Sequence, residues 1–350
     1  MRSGRVWRLA TGGLLAAVLL YFFLRGVAWG EIALAMRSAD RIDLALVLVS
    51  TVVVYASRAW RWGYLLAPLA RVPFRRLLSA TVVGFMTGLV VPRAGEVVRP
   101  YLVARRHDTT TSAAFATIIL ERLVDLITVL ALFFLYLYAL PLPESQTRGP
   151  LVSLLKTAGG FAAVGALAVL GVLFAFHLHA DRSMAFLGRF LAWLPERFGR
   201  PLGEVLRAFG EGLAVLQAPA GHLLAILGQS VVVWLAIALS IFFNNRAFGI
   251  QLPLHASFLI IGFLTVGVAV PTPGMVGGFH ESYLLAMTQS FGVDKSIAAA
   301  AGITMHALSN LPVLLAGLLL LPGEGLTWGR VAEMAGERPE NPKVTAGALR

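Results

Sequence analysis

The 350 residues contain no cysteine, which excludes disulfides and thiolate metal sites. Acidic residues are scarce, with 18 Asp and Glu against 29 Lys and Arg, and charged residues of both signs make up only 13% of the chain. The seven histidines are scattered and form no HxxxH or HExxH pattern. His177 and His179 come closest, but residues two apart on one helix point to different faces. Neither a metal nor a cofactor is therefore expected. No GxxxxGK[ST] sequence occurs, so ATP-driven work by this chain alone is not expected. Asp-rich DDxxD-type spacing is also absent, which argues against a membrane enzyme that holds a lipid phosphate or prenyl chain through metal ions.

What the chain has instead is apolar length. Hydrophobic residues make up 58% and the mean hydropathy is +0.78, far outside the balance of a soluble domain. The expected class is an all-α integral membrane protein. Its formal net charge of +11 is spread over short loops between apolar spans. That distribution fits membrane topology and anionic headgroups better than nucleic acid, and no nucleic-acid partner is expected. At the N-terminus, Arg2, Arg5 and Arg8 precede an apolar stretch to Ala28 with no small-residue cleavage site after it. This reads as a retained first span.

A crossing helix needs roughly 20 apolar residues. Six segments reach that length: Val6 to Ala28, Asp43 to Leu66, Ser112 to Leu140, Leu151 to His179, His222 to Phe248 and Ser296 to Leu321. Two more, Leu77 to Val91 and Ala256 to Val270, stop short at Pro and Gly and suit re-entrant half-helices. With that topology, 19 of the 29 basic residues fall on the side of the N-terminus, seven fall opposite, and Arg93, Arg99 and Arg122 lie inside hairpins or spans. The asymmetry predicts both termini in the cytoplasm. The long connection 181–220 carries Phe186, Phe190, Leu191, Trp193 and Leu194 at helical spacing and reads as interfacial amphipathic helix. The tail from Gly323 to residue 350 reads as disordered.

The two short segments share a pattern. GFMTGLVVPRAG begins at Gly84 and GFLTVGVAVPTPG at Gly262, each with V-P-x-x-G, and Pro92 aligns with Pro271. The spans that follow align ATIILERLVDL at Ala116 with AGITMHALSNL at Ala301, setting Glu121 opposite His306 and Asp125 opposite Asn310. Residues 1–322 are thus read as one polytopic domain of six spans and two re-entrant hairpins, with inverted repeats over 1–145 and 150–322. Such repeats place substrate sites near the midplane, where protein covers the unwound backbone.

Candidate functional residues gather at the hairpins. Arg93, Glu96 and Arg99 surround Pro92, Gly95 and Pro100. Glu96 and Arg99 are spaced to pair on one helical face, and Arg93 sits beside a helix N-terminus that favours anions. Guanidinium forks and free amides suit a phosphate, although an internal Arg/Glu pair would equally brace the hairpin. In the next span, Glu121 and Asp125 share a face, and Arg122 can pair with Asp125. One arginine against two acids leaves a carboxylate able to hold a proton, so this group reads as a structural lock, a proton site or both. The second tip, with Gly274, Gly277 and Gly278 before His280 and Glu281, reads as a tight turn with a role in the site. His306, with Asn310 one turn on, is suited to donate to a phosphate, relay a proton or pack across helices. Arg58 and Arg61, among Trp60, Trp62 and Tyr64, read as an interfacial anchor with headgroup contact.

The runs R-A-G-E-x-x-R-P-Y (93–101), E-R-L-x-D (121–125), P-T-P-G-x-x-G-G-F-H (271–280) and H-A-x-S-x-x-P (306–312) resemble the flippase-like transmembrane family typified by the membrane half of lysylphosphatidylglycerol synthase. The likeness spans roughly residues 10–322 and implies a lipid-translocating or lipid-binding domain of the bacterial cytoplasmic membrane. It implies a polar core at Arg93, Glu96, Arg99, Glu121, Arg122, Asp125, Gly274, Gly278, His280 and His306. Two departures matter. No aminoacyltransferase domain follows the spans, so lipid aminoacylation by this sequence is not expected. Met275 stands where the family often has glycine, which bears on the tightness of the second tip. The expected partner is a membrane lipid with an anionic headgroup, phospholipid or polyprenyl phosphate. A non-transporting subunit that presents lipid to a biosynthetic enzyme is the alternative, with a lipid-phosphate enzyme third. Oligomeric state is not legible in the sequence.

Overall fold

The computed structural model describes residues 21, 29–92, 94–139, 150–178, 196–270 and 272–325. The first expected span (apart from Tyr21), Arg93, Pro271, the 181–195 stretch with Phe186 to Leu194, and the tail beyond 325 lie outside the described residues. Among those described, every regular element is helical.

In chain order these are α1 (Trp29–Ser38), α2 (Arg41–Leu66), α3 (Phe74–Val90), α4 (Ala94–Ala104), α5 (Thr111–Phe134), α6 (Pro150–Leu178), α7 (Glu196–Gly212), α8 (Ala220–Ala247), α9 (Ala256–Ala269), α10 (Gly278–Leu285) and α11 (Lys295–Leu320). Side-chain caps mark several starts. The Asp40 carboxylate accepts from the amides of Ile42 and Asp43, Thr110 from Ala113, and Asp294 from Ser296 and Ile297. Each satisfies amides that have no partner within the helix. Helices within Arg41–Leu66, Val152–Val172, Ala220–Ala247 and Lys295–Leu320 are long and apolar enough to cross a membrane. At 24 residues α5 is long enough too, but Glu121, Arg122 and Asp125 interrupt its apolar sequence. On α6 the residues Phe161, Val164, Leu167 and Val172 are exposed along its length. A run of that size facing outward suits a lipid solvent and no aqueous one. The chain is a multi-pass membrane protein, all-helical among the described residues.

The long helices α2 and α8 pack along their lengths in opposite directions. His222 near the start of α8 hydrogen-bonds the Tyr64 carbonyl near the end of α2 (2.8 Å), and Arg246 at the end of α8 pairs with Asp43 at the start of α2. Two helical hairpins pack against this pair. In the first, α3 turns back through Val91 and Pro92 into α4; in the second, α9 turns back through a short 3-10 turn at Pro273–Met275 into α10.

Both hairpins close on glycine. A methyl group on Gly95 would come within 2.1 Å of the Gly84 carbonyl oxygen, and one on Gly278 within 2.3 Å of the Gly267 oxygen. Gly267 lies as far along the chain from Gly84 as Gly278 does from Gly95. This structural register differs by four residues from the one obtained by aligning Pro92 with Pro271. The physical reason is that α9 unwinds nearer its crossing glycine than α3 does, so V-P-x-x-G marks where each helix ends and not the point at which the arms cross.

Two large apolar cores fill the bundle, with a third, small cluster of Val54, Val233 and Ala236 between α2 and α8. One joins the ends of α2 and α3 to α4 and the first half of α5, around Trp62, Leu65, Met86 and Ile118; the other joins α9, α10 and α11 to the far end of α5, around Phe133, Ile260 and Tyr283. Between them, at mid-helix, runs a polar layer.

Three features depart from the sequence reading. Helix α1 stands where only a connection was expected. The amphipathic expectation for 181–220 is met in part by α7, which lies on α5 with Gly212 against the Ala113 carbonyl. The tail does not become free at Gly323. Glu324 is buried, accepts a hydrogen bond from the Ser79 hydroxyl (2.6 Å) and pairs with Arg106 (3.1 Å), while the Arg105 guanidinium donates to the Glu324 carbonyl oxygen (2.8 Å). The end of α11 is thereby tied to both arms of the first hairpin. Glu324→Ala leaves the buried Arg106 Nη1 without its carboxylate, and thermal unfolding in detergent is expected to show a loss of about 1–3 kcal/mol.

Candidate functional site

The polar layer is an ion cluster on three helices. From α2, Arg58 and Arg61 face α5, one turn apart, and Glu121 and Asp125 answer them at the same pitch. Arg61 donates to Asp125 (2.6 Å) and to the Ser230 hydroxyl of α8 (2.7 Å), with its other amino group 3.4 Å from Glu121. Arg58 reaches Asp125 at 3.2 Å, and the Trp234 indole donates to the same carboxylate at 3.0 Å. From α4, Arg99 grips Glu121 with two parallel bonds of 3.1 and 3.0 Å and lies over the Trp62 ring at 4.4 Å. Trp62 is itself held by the Thr117 hydroxyl (3.0 Å). Arg61 and Glu121 are both 0% exposed. A buried ion pair persists only when its remaining donors and acceptors are met, and the bidentate fork, Ser230 and Trp234 supply much of that.

The layer opens on a cavity of about 410 Å³ between the two hairpin tips. The first hairpin contributes Gly84, Phe85, Gly95, Glu96 and Arg99; the second contributes Val270, Thr272 and Met275; Arg122 of α5 and Asn310 of α11 complete the wall. Arg122, roughly half exposed, bridges from Glu96 (3.4 Å) towards Asp125 (3.9 Å). The Phe85 ring lies within 6 Å of three guanidinium carbons, those of Arg58, Arg99 and Arg122. Cations near an aromatic ring are attracted to its electrons, which offsets some of the repulsion between like charges held in a small volume. Four guanidiniums thus face three carboxylates among the described residues of the layer and cavity wall. Of the residues that line the cavity, Arg99 and Thr272 each carry a buried polar atom, Nε and the hydroxyl, with no hydrogen-bond partner among the described residues.

The second tip is built differently. Gly274 and Gly277 take positive φ (63° and 87°), and Met275 between them does so too, at 57°. A left-handed side-chain residue costs about 1–2 kcal/mol, which accounts for glycine being the easier residue there. His306 donates to the Gly274 carbonyl (2.7 Å), the Gly277 amide donates to His280 Nδ1 (3.4 Å), and the two imidazoles lie 4.6 Å apart. The Asn310 amide donates to the His306 carbonyl (2.9 Å).

The structure therefore sorts the expected residues. Glu96, Arg99, Arg122 and Asn310 line the cavity. Glu121 and Asp125 stand behind them as partners of the arginines. Gly274, Gly277, Gly278, His280 and His306 shape and hold the second tip without lining the cavity. Arg93 lies outside the described residues. Three expectations are corrected. Glu96 and Arg99 do not pair with each other: α4 turns Arg99 inward to Glu121 and leaves Glu96 to Arg122. The carboxylates are not in excess, because Arg58, Arg61 and Arg99 arrive from other helices. Arg58 and Arg61 are not interfacial but buried, since α5 and α8 cover that face of α2. Sequence reasoning missed Phe85, Ser230, Trp234 and Thr272, and placed Trp62 at the interface where the structure buries it. The available signal was the matched pitch of Arg58/Arg61 and Glu121/Asp125.

Known proteins carry similar chains. A protein named glycosyltransferase AglD from Haloferax volcanii is 26% identical over 339 residues, covering 89% of this chain and 53% of its own length, so the present chain spans about half of that relative. A UPF0104 membrane protein from Methanothermobacter thermautotrophicus is 23% identical over 308 residues, covering 84% of this chain and 88% of its own. Another UPF0104 membrane protein, from Pyrococcus horikoshii, is 24% identical over 322 residues, covering 85% and 93%. Residues 9–317, which hold both hairpins and the whole ionic layer, match the family described as the lysylphosphatidylglycerol synthase TM region, and the chain belongs to that family.

Proposed function

We propose that this chain resides in the cytoplasmic membrane, binds an anionic lipid headgroup between its two hairpin tips, and passes that headgroup from one leaflet to the other without making or breaking covalent bonds. The observation that carries the reading is the cavity itself: buried Arg99 and half-exposed Arg122 on one wall, Thr272 on the other, and one more guanidinium than carboxylate around it. An ionised phosphate carries hydrogen-bond acceptors and no donors, and forked guanidinium donors are its natural complement.

The topology that goes with it is six spans and two re-entrant hairpins in inverted repeats, with both termini in the cytoplasm. Its supports are the opposite directions of α2 and α8, the repeated glycine crossing, and the lengths of α3 and α9, 17 and 14 residues. At 1.5 Å per residue neither covers a hydrocarbon core of about 30 Å. Rocking of one half against the other would alternate access to the tips while the acyl chains stay in lipid.

The test is reconstitution into liposomes with labelled anionic phospholipid, polyprenyl phosphate and a zwitterionic control, scored for leaflet transfer. Wild type is expected to move an anionic lipid faster than the control. Arg122→Gln, which removes a half-exposed charge and leaves the buried pairs intact, is expected to slow it by about tenfold or more, in line with a charged hydrogen bond of about 1.5–3 kcal/mol. Absence of transfer by wild type, or an unaffected Arg122→Gln, sinks the reading. A second reading is favoured by the similarity to the protein named glycosyltransferase AglD, half of whose length this chain matches: the cavity would hold a lipid for a partner enzyme and not move it. Saturable anionic-lipid binding without transfer would select that reading.

A further inference from the structure

A larger opening lies at the other end of the first half, apart from the hairpin tips. Its volume is about 760 Å³, and its walls are apolar: Trp60 and Tyr64 from the last turns of α2, Phe74 and Leu77 from α3, and the 67–73 connection between them. His222 of α8 closes one side, its ring edge-on to Tyr64 at 5.2 Å. Trp60 meets Phe74 edge-on at 6.4 Å and is 56% exposed.

The rim is cationic. Arg71 lines the opening, and Arg75 and Arg76 follow on the exposed first turn of α3. Among the described residues none of the three forms an ion pair, and the start of α3 at Pro73 has no side-chain cap. The nearby acids Asp108 and Glu211 line a different opening, beyond Pro68 and Leu69. The groove brings exposed Trp60, half-buried Tyr64 and exposed Arg71 together at the end of α2 and the connection after it, a composition typical of membrane proteins at headgroup depth. Apolar walls below three unpaired guanidiniums at the start of a helix complement an amphiphile with a negative head and an apolar tail.

We propose that this groove is a binding site for an anionic phospholipid of the surrounding bilayer, with an acyl chain against Trp60, Tyr64 and Leu77 and its phosphate on Arg71 and the first turn of α3. The site shares no residue with the cavity between the tips and does not depend on transport.

Tryptophan fluorescence tests it with the full chain in phosphatidylcholine vesicles carrying a minor fraction of phospholipid brominated in its acyl chains. Brominated phosphatidylglycerol is expected to quench at least about twofold more than brominated phosphatidylcholine. That excess should vanish in Trp60→Phe, which removes the reporter, and in Arg71→Gln, which removes the exposed charge. It should persist in Arg71→Lys and in Arg122→Gln. Equal quenching by the two headgroups overturns the proposal, as does an excess that survives Trp60→Phe or Arg71→Gln. Loss of the excess in Arg122→Gln would assign the lipid to the cavity between the tips and would also overturn it.

Discussion

Glu121→Ala is expected to cost about 3–5 kcal/mol of stability, the range for removing one partner of a buried ion pair. Glu121 holds Arg99 by two bonds and stands 3.4 Å from Arg61, with no exposure of its own. Its loss strands two buried guanidiniums that then face Asp125, Ser230 and the Trp62 and Phe85 rings. Thermal unfolding in detergent, followed by intrinsic fluorescence, gives the measurement. The paired variant Arg99→Met with Glu121→Met separates two roles of the cluster. Matched apolar side chains can replace a buried pair at little cost, or with a gain, so the double variant should unfold closer to wild type than Glu121→Ala does. It should nonetheless bind anionic lipid poorly, because Arg99 is part of the cavity wall. If the double variant is as unstable as the single, the cluster is held by more than these charges, and if it binds lipid normally, Arg99 is not a ligand.

The second large effect is steric. Gly95→Ala places a methyl group 2.1 Å from the Gly84 carbonyl oxygen, and Gly278→Ala places one 2.3 Å from that of Gly267. Both obstacles are backbone, which cannot rotate away as a side chain does, so each pair of arms must spread. A cost at the upper end of about 1–3 kcal/mol is expected for each. Spreading the first hairpin also shifts Arg99, one turn beyond Gly95, so Gly95→Ala should reduce lipid binding as well as stability. For Gly228→Ala, with nothing within 4 Å of the added methyl, no destabilisation is expected. Thermal unfolding of the three variants side by side decides the point, and a neutral Gly95→Ala would mean that the arms do not cross as described.

Membrane character was legible because it depends on composition and run length, which need no partner. The boundaries of α2, α8, α9 and α11 fall within a few residues of the apolar segments read from sequence, since caps such as Asp294 and breakers such as Pro and Gly act locally. The breaks that end α3 and α9 were visible for the same reason. Helix α1 was not, because ten residues of mixed polarity carry too weak a period. Arg58 shows where local reading fails. Beside Trp60 and Trp62 it has the composition of an interface, and only the approach of α5 and α8 makes that face interior. The Glu96/Arg99 spacing likewise allows a pair on an isolated helix, but Glu121 offers Arg99 a bidentate grip that three-residue spacing does not.

By itself the sequence determined that the chain is a helical membrane protein with two broken apolar segments, and which residue types crowd around the breaks. Those properties follow from side-chain transfer energies and backbone preferences, which act over a few neighbouring residues. Only the tertiary structure decided which arginine meets which carboxylate, that the arms cross at Gly84/Gly95 and Gly267/Gly278, and that Arg99, Arg122 and Thr272 border one cavity. Ion pairing and close packing act between groups far apart in the chain, and their partners exist only once the helices have met.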